Sequence, residues 1–221
     1  MKGKVAEVFK SIQGEGPYQG VKQVFIRLFG CNLGCSFCDT KLDSYKKKTV
    51  GELLDEIDSF DDYHSLSVTG GEPLVQIEFL KDLLKVIRKR KQKVYLETNG
   101  TLPENLIKVI DYIDIIAMDF KLPSSTGLRS FWGEHQEFLE IAREREAFVK
   151  AVIGTTTMLE DIYKTIEIIK NISEKTTLVL QPQNPLETMI KTKLEGFEQL
   201  CREEGLEVKV ISQMHKRLGL K

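Results

Sequence analysis

Gln23-Val-Phe-Ile-Arg-Leu-Phe-Gly-Cys31-Asn-Leu-Gly-Cys35-Ser-Phe-Cys38-Asp-Thr40 joins an apolar run to a loop that holds three of the chain's four cysteines. Val24 to Phe29 has the β-branched and aromatic content of a buried strand, and the cysteines follow it at x3 and x2 spacing. Thiols that close together form a cluster-binding loop. A four-iron, four-sulfur cluster normally takes four thiolates, and the remaining cysteine, Cys201, sits far downstream in a charged, helix-like segment. One iron therefore lacks a protein thiolate. An open iron is a place for substrate or cofactor, whereas an electron carrier has reason to close all four positions. Two readings compete with this one. A structural zinc site wants four closed ligands, but His64, His135 and His215 are scattered singly, with none at finger spacing. Buried structural cysteines must explain three thiols within eight residues.

Outward from this loop the chain repeats one theme. Val5 to Ser11 alternates like a short strand before Gln23 to Phe29. After a Lys-rich turn, Val50 to Phe60 carries apolar residues at 50, 53, 54, 57 and 60, a helical period, and strand Ser65 to Thr69 follows. Helix Ile77 to Lys89, strand Lys93 to Thr98, helix Pro103 to Ile110 and strand Ile113 to Asp119 come next. Helix Glu134 to Arg145, strand Ala147 to Ile153, helix Leu159 to Asn171, strand Thr177 to Gln181, helix Glu187 to Glu204 and strand Glu207 to Ile211 complete the series. Such alternation implies an α/β fold with a parallel sheet and crossover helices. A full eight-unit barrel needs about 250 residues, and this chain has 221. The expectation is a truncated, open (β/α) barrel of about six parallel strands. It forms one domain over residues 1–221, its mouth closed by residues 1–20 and 212–221.

In a parallel barrel the chemistry sits at the carboxyl ends of the strands. Five polar clusters follow strands: Cys31 to Cys38, Gly70 to Pro73, Glu97 to Gly100, Asp119 to Pro123 and Gln181 to Asn184. Their convergence on one site is the expectation, although each alone is an ordinary loop.

With 32 Lys and Arg against 33 Asp and Glu, the net charge of −1 offers no basic field for nucleic acid. No apolar run nears the roughly 18 residues that span a membrane, and the amino terminus lacks a signal-peptide pattern. A cytoplasmic protein with a small-molecule partner is expected, in a compartment that keeps thiols reduced.

Two further features carry alternatives. Gln13-Gly14-Glu15-Gly16-Pro17 is either a turn or a backbone surface for a flat polar ligand. Arg27, set inside an apolar strand, needs a partner because an unpaired buried charge costs several kcal/mol, on the order of 3 to 5. Its partner is either an internal carboxylate or an anionic ligand gripped by the guanidinium fork.

The cysteine spacing together with Gly70-Gly71-Glu72-Pro73 after a strand resembles the radical S-adenosylmethionine (SAM) superfamily, in which SAM chelates the open iron. Within it, the SIQGEGPYQG segment, Arg27, the Cys38-Asp39-Thr40 close, the Gln181-Pro182-Gln183-Asn184 run and the terminal QMHKRLGLK resemble the 7-carboxy-7-deazaguanine synthase family. The resemblance spans nearly the whole chain. It implies conversion of 6-carboxy-5,6,7,8-tetrahydropterin to 7-carboxy-7-deazaguanine with a 4Fe-4S cluster, SAM and Mg²⁺. It also implies an electron donor such as flavodoxin or ferredoxin, and a homodimer. Cys31, Cys35 and Cys38 would hold the cluster and Thr40 the Mg²⁺. Phe37, Cys38, Asp39, Gly71, Thr98, Lys121, Leu122, Pro123, Gln181, Pro182, Gln183 and Asn184 would line the SAM pocket. Ile12, Gln13, Gly14, Arg27, Thr69, His215 and Lys221 would meet the substrate. A radical SAM activase acting on a partner protein shares the cysteines and Gly-Gly-Glu-Pro, but gives no role to Gln13-Gly14-Glu15-Gly16 with Arg27. A non-catalytic metal-binding interaction module predicts zinc without a SAM pocket.

Overall fold

The computed structural model describes residues 1–40, 42–173, 175–186, 188–214 and 219. Strands β1 (Lys2–Ile12), β2 (Lys22–Leu28) and β3 (Lys46–Thr49) precede helix α1 (Val50–Ile57). The chain then runs through β4 (Ser65–Gly70), α2 (Ile77–Lys89), β5 (Val94–Thr98), α3 (Pro103–Leu106) and β6 (Ile115–Phe120). It continues with α4 (Pro123–Thr126), α5 (Trp132–Ala142), β7 (Glu146–Ile153), α6 (Leu159–Ile172), β8 (Leu178–Pro182), α7 (Thr188–Glu203) and β9 (Val208–Val210).

These strands form one open sheet in the order β3-β1-β2-β4-β5-β6-β7-β8-β9. From β2 onward every neighbouring pair is parallel, whereas β1 lies antiparallel to both β2 and β3. This is the expected partial barrel, and the amino-terminal hairpin is its flank.

The outer face is packed by amphipathic helices. α2 buries Phe79, Leu80, Leu83, Leu84 and Ile87, spaced as one helical stripe. A Cβ at Gly3 would fall 2.2 Å from the Phe79 ring, so β1 passes this helix only as glycine. α1 opens with a capping box: Thr49 Oγ accepts from Glu52 N, and the Glu52 carboxylate accepts from Thr49 N.

Two expectations need correction. The Lys-rich turn is in fact β3, pairing Lys46 to Thr49 with Val5 to Lys2. Its lysines suit an edge strand, where charge discourages pairing with a further chain. The helix expected over 103–110 is a single turn followed by a 3-10 turn at Ile110–Tyr112. Val109 leaves helical geometry at φ −132°, and Leu106, Val109 and Ile110 are all buried while Ile107 stays exposed.

Candidate active site

Successive strand residues point to opposite faces, and that rule builds the concave side. Phe25 and Arg27 on β2, Tyr95 and Glu97 on β5, Ala117 and Asp119 on β6, and Phe148, Lys150 and Val152 on β7 all line one cavity of about 600 Å³. Tyr95, Ile115, Ala117, Phe148 and Val179 form a small apolar cluster of their own, the floor. The charged members come later in each strand, toward the carboxyl ends. The result is a greasy base under a ring of charge.

The three cysteines open into the same cavity and none is in a disulfide. Their loop is anchored from several sides. Ser36 N donates to Thr126 O at 2.9 Å, Asn32 Nδ2 donates to Thr101 Oγ1 at 2.9 Å, and Cys38 N donates to Cys35 O at 3.1 Å. Gly70 has a φ of +143°. A Cβ there would lie 2.0 Å from the Leu28 carbonyl oxygen, and one on Gly71 would lie 2.2 Å from that of Gly30 and 2.9 Å from Cys31 Cβ. The two glycines let the turn after β4 lie flat against the start of the cysteine loop. Glu72 then fastens it: its backbone N–H reaches Gly30 O at 2.8 Å, while its buried carboxylate accepts from Asn99 N, Leu74 N and Thr98 Oγ1. Burial pushes the Glu72 carboxyl up to about 7 against those donors.

Asn99 is locked in orientation. Its Oδ1 accepts from Thr101 N at 3.0 Å, so Nδ2 must face Asn32 Oδ1 at 2.9 Å and Cys31 Sγ at 3.9 Å. Leu33 N also points at Cys31 Sγ, at 3.4 Å.

Three free thiols on one cavity wall, with N–H groups of Leu33 and Asn99 aimed at the Cys31 sulfur, fit an iron–sulfur cluster. Burial holds the Cys31 and Cys35 thiols above their ordinary range, and a bound cation is what inverts that preference. A cluster spreads its thiolates over separate irons. Among the described residues, no three His, Cys, Asp or Glu groups gather around a single-ion site. Cys201 is fully buried in the core, where burial pushes its thiol up to about 12.

Arg27 has the internal carboxylate among its two expected partners, and its side chain is also open to the cavity. Its Nε donates to Glu7 Oε1 at 2.8 Å, and its side chain also lines the cavity beside Phe9. Gln13 braces Glu97: its Nε2 donates to Glu97 Oε1 at 2.9 Å, and Thr69 Oγ1 donates to Glu97 Oε2 at 2.8 Å.

Behind these runs a chain of charges absent from the sequence expectation. Lys150 Nζ contacts Glu15 Oε2 at 2.5 Å and Asp119 Oδ2 at 3.1 Å, and Asp119 Oδ2 also contacts Lys121 Nζ at 2.9 Å. Burial acts to raise Glu15 and Asp119, but Lys150 with the Gln213 amide holds Glu15, and Lys121 with Lys150 holds Asp119, below the usual carboxylate range. The same attraction drives Lys150 well above the ordinary lysine range, although burial opposes it. Asp119 Oδ1 and Gln181 Oε1 are buried without a hydrogen-bond partner.

Of the residues singled out from sequence, Ile12, Gln13, Gly14, Arg27, Cys31, Cys35, Phe37, Cys38, Asp39, Thr40, Thr69, Gly71, Thr98, Lys121, Gln181, Pro182, Gln183 and Asn184 all line the cavity. Leu122 and Pro123 do not. β6 ends at Phe120, so Leu122 turns into the core and Pro123 opens α4. His215 and Lys221 lie outside the described residues. Tyr95, Phe148, Lys150 and Gln213 also line the cavity and were not singled out, while Glu15, Glu97 and Asp119 were named only within expected loop clusters and given no role. The signal for most of them was present in the strand alternation, as in Phe148-Val-Lys150-Ala-Val152.

Comparison with known proteins agrees with this geometry. Residues 25–194 match the radical SAM superfamily model. The chain is 37% identical to the 7-carboxy-7-deazaguanine synthase of Geobacter sulfurreducens, covering 98% of this chain and 97% of that one. It is 34% identical to the 7-carboxy-7-deazaguanine synthase of Methanothermobacter thermautotrophicus, covering 100% and 99%. In fold it resembles QueE from Escherichia coli, with a TM-score of 0.67, 22% identity and coverage of 95% and 94%.

Proposed function

This chain belongs to the radical SAM superfamily and, within it, to the 7-carboxy-7-deazaguanine synthases, and we propose that it converts 6-carboxy-5,6,7,8-tetrahydropterin to 7-carboxy-7-deazaguanine with loss of ammonia. The product serves queuosine and related deazapurine bases. One observation carries this reading. The three cysteines open into the same cavity as Gln13, Arg27 and Thr69, so a cluster-bound cofactor and a small anionic substrate have room to meet.

When bound, the cluster and SAM supply a 5′-deoxyadenosyl radical by one-electron cleavage of the sulfonium. Cys31, Cys35 and Cys38 would hold the cluster. Phe37, Asp39, Gly71, Thr98, Lys121 and the Gln181–Asn184 loop would surround SAM. Arg27 grips the substrate carboxylate with the terminal nitrogens of its fork, while Glu7 fixes the guanidinium through Nε. Glu97, held by Gln13, Ser67 and Thr69, turns acceptor oxygens toward the N–H edge of the pterin. Tyr95 and Phe148 keep water from the floor, which protects a radical from side reactions. Thr40, whose hydroxyl lies 3.4 Å from Asp39 Oδ1, would ligate Mg²⁺, an ion that keeps several waters and shares substrate oxygens.

Residues 1–20 and 212–214 act as the cover of this site within a single domain; the rest of the expected carboxyl-terminal cover, apart from 219, lies outside the described residues. Among the described residues no helix is long and apolar enough to cross a membrane. We assign the protein to the cytoplasm, as a homodimer served by a flavodoxin- or ferredoxin-type reductant.

The test is anaerobic turnover of the reconstituted protein with SAM, dithionite, Mg²⁺ and the pterin, read by mass spectrometry. Formation of both 5′-deoxyadenosine and 7-carboxy-7-deazaguanine is expected. Deoxyadenosine without the deazaguanine overturns the substrate assignment.

A further inference from the structure

The segment after β9 reaches the cavity at Gln213, which is 7% exposed. Its neighbours are tied to the loop between β1 and β2: Gln19 Nε2 donates to Ser212 O at 2.8 Å, and Met214 N donates to Gly14 O at 2.9 Å. The Gln213 side chain does more than seat the tail. Its Nε2 donates to Glu15 Oε1 at 2.6 Å and to Asp39 Oδ2 at 3.3 Å, and its Oε1 accepts from Asn184 Nδ2 at 2.6 Å. Both Nε2 partners are carboxylates, which accept and do not donate when ionised. The orientation of the amide is therefore fixed by its neighbours.

One side chain thus joins three loops: the β1–β2 loop, the cysteine loop and the loop after β8. On the functional reading above, from which this inference proceeds, Asp39 and Asn184 face SAM, whereas Gln13 and Gly14, adjacent to Glu15, face the pterin. We propose that Gln213 is a positioning residue that couples the two ligands, so that binding of either tightens binding of the other. The physical route is ordering. A ligand that fixes one of the three loops restricts the amide, and the amide restricts the other two, so the second ligand has less disorder to remove. Glu15 extends the link, since it also accepts from Lys150 Nζ at 2.5 Å and from Gln181 Nε2 at 3.2 Å. Coupling of this kind is reciprocal: the pterin must change SAM affinity by the same factor as SAM changes pterin affinity.

The experiment is calorimetric titration of SAM into the oxidised holoenzyme, where no turnover occurs, with and without saturating 6-carboxy-tetrahydropterin. The reverse titration checks reciprocity. In the wild type the pterin should lower the Kd for SAM by roughly tenfold, within the usual range of allosteric coupling. Gln213→Met keeps the length of the side chain and removes the amide; its factor should fall close to one while each ligand still binds alone. Gln213→Ala should behave in the same way. Gln19→Ala, which frees Ser212 and removes one bond to Gly14 O but leaves Asp39, Glu15 and Asn184 joined, should keep the wild-type factor. Hydrogen exchange at the Ile211 to Met214 amides should slow when either ligand binds the wild type and should be unchanged by either ligand in Gln213→Met. A wild type that binds both ligands without mutual effect overturns this inference alone, as does a Gln213→Met factor equal to that of wild type. A wild type that binds neither ligand overturns the functional reading together with it.

Discussion

Replacing Lys150 with Met removes a cation held between Glu15 and Asp119. Asp119 keeps Lys121, but among the described residues Glu15 loses the one cation paired with it and keeps the Gln181 and Gln213 amides. Breaking a buried ion pair by deleting one partner costs about 3 to 5 kcal/mol. The Lys150 and Glu15 side chains retain 15% and 21% of their exposure, so the low end of that range applies. For a chain of this size each kcal/mol moves the melting midpoint by roughly 2–4 °C, so about 3 kcal/mol predicts a fall on the order of 10 °C at pH 8. The pH dependence gives the sharper signature. In the wild type Glu15 has a lowered pKa, so its stabilising share is present above the unfolded-state value and is lost as the pH falls through the folded one. Without Lys150 the burial effect wins and the pKa rises above the unfolded value. Lowering the pH then relieves the variant by protonating Glu15. The gap between variant and wild type should shrink from pH 8 to pH 5.5, and Glu15→Gln should restore much of the stability of Lys150→Met. Differential scanning calorimetry of the anaerobic protein reads both. A gap that is equal at the two pH values, with no rescue by Glu15→Gln, would refute the reasoning.

Three further outcomes follow from the site. Cys31→Ala, Cys35→Ala or Cys38→Ala should each deplete bound iron, whereas Cys201→Ala should leave it unchanged and cost only about 1 kcal/mol for the small cavity left behind; iron analysis of anaerobic preparations decides. Arg27→Lys keeps the charge but loses the fork, so KM for the carboxylated pterin should rise about 10- to 100-fold, the weight of a charge-assisted hydrogen bond. In steady-state kinetics, an unchanged KM would contradict it. Asn99→Asp replaces an N–H aimed at Cys31 Sγ with a carboxylate, which should shift the cluster midpoint to a more negative potential in an EPR-monitored titration, and a midpoint equal to wild type would show that the contact does not reach the sulfur's charge.

Much of the fold was legible because it rests on periodicity. The β-branched runs at Gln23 to Phe29 and Ser65 to Thr69 and the helical stripe of α2 each carry their own signal, and their alternation fixes a parallel sheet. β3 was hidden because three consecutive lysines speak for solvent, and what makes them a strand is the partner β1 offers. The helix at 103–110 was overestimated because its apolar spacing continues where Val109 leaves the helix to bury its side chain. In the site, cysteines and glycines announce themselves through spacing, and the resemblance supplied the ligands. The ion chain of Glu15, Lys150, Asp119 and Lys121 was not foreseen, since a charged residue in a strand, as Asp119 and Lys150 are, ordinarily marks an exposed face. Only the concave face of this open, curved sheet turns that alternation inward. Leu122 and Pro123 show the opposite limit: neighbours of a cavity residue in sequence need not share its direction. Gln213 lay within the segment expected to cover the site, yet nothing in its local sequence tells of Glu15, Asp39 and Asn184, which are distant along the chain.

The central claim is that the radical source and the pterin meet in one cavity. A single anaerobic turnover with 6-carboxy-tetrahydropterin deuterated at C6 tests it most directly, with mass spectrometry of the 5′-deoxyadenosine formed. The account predicts deuterium in the deoxyadenosine methyl group together with formation of 7-carboxy-7-deazaguanine; unlabelled deoxyadenosine, formed at the same rate with or without the pterin, would contradict it.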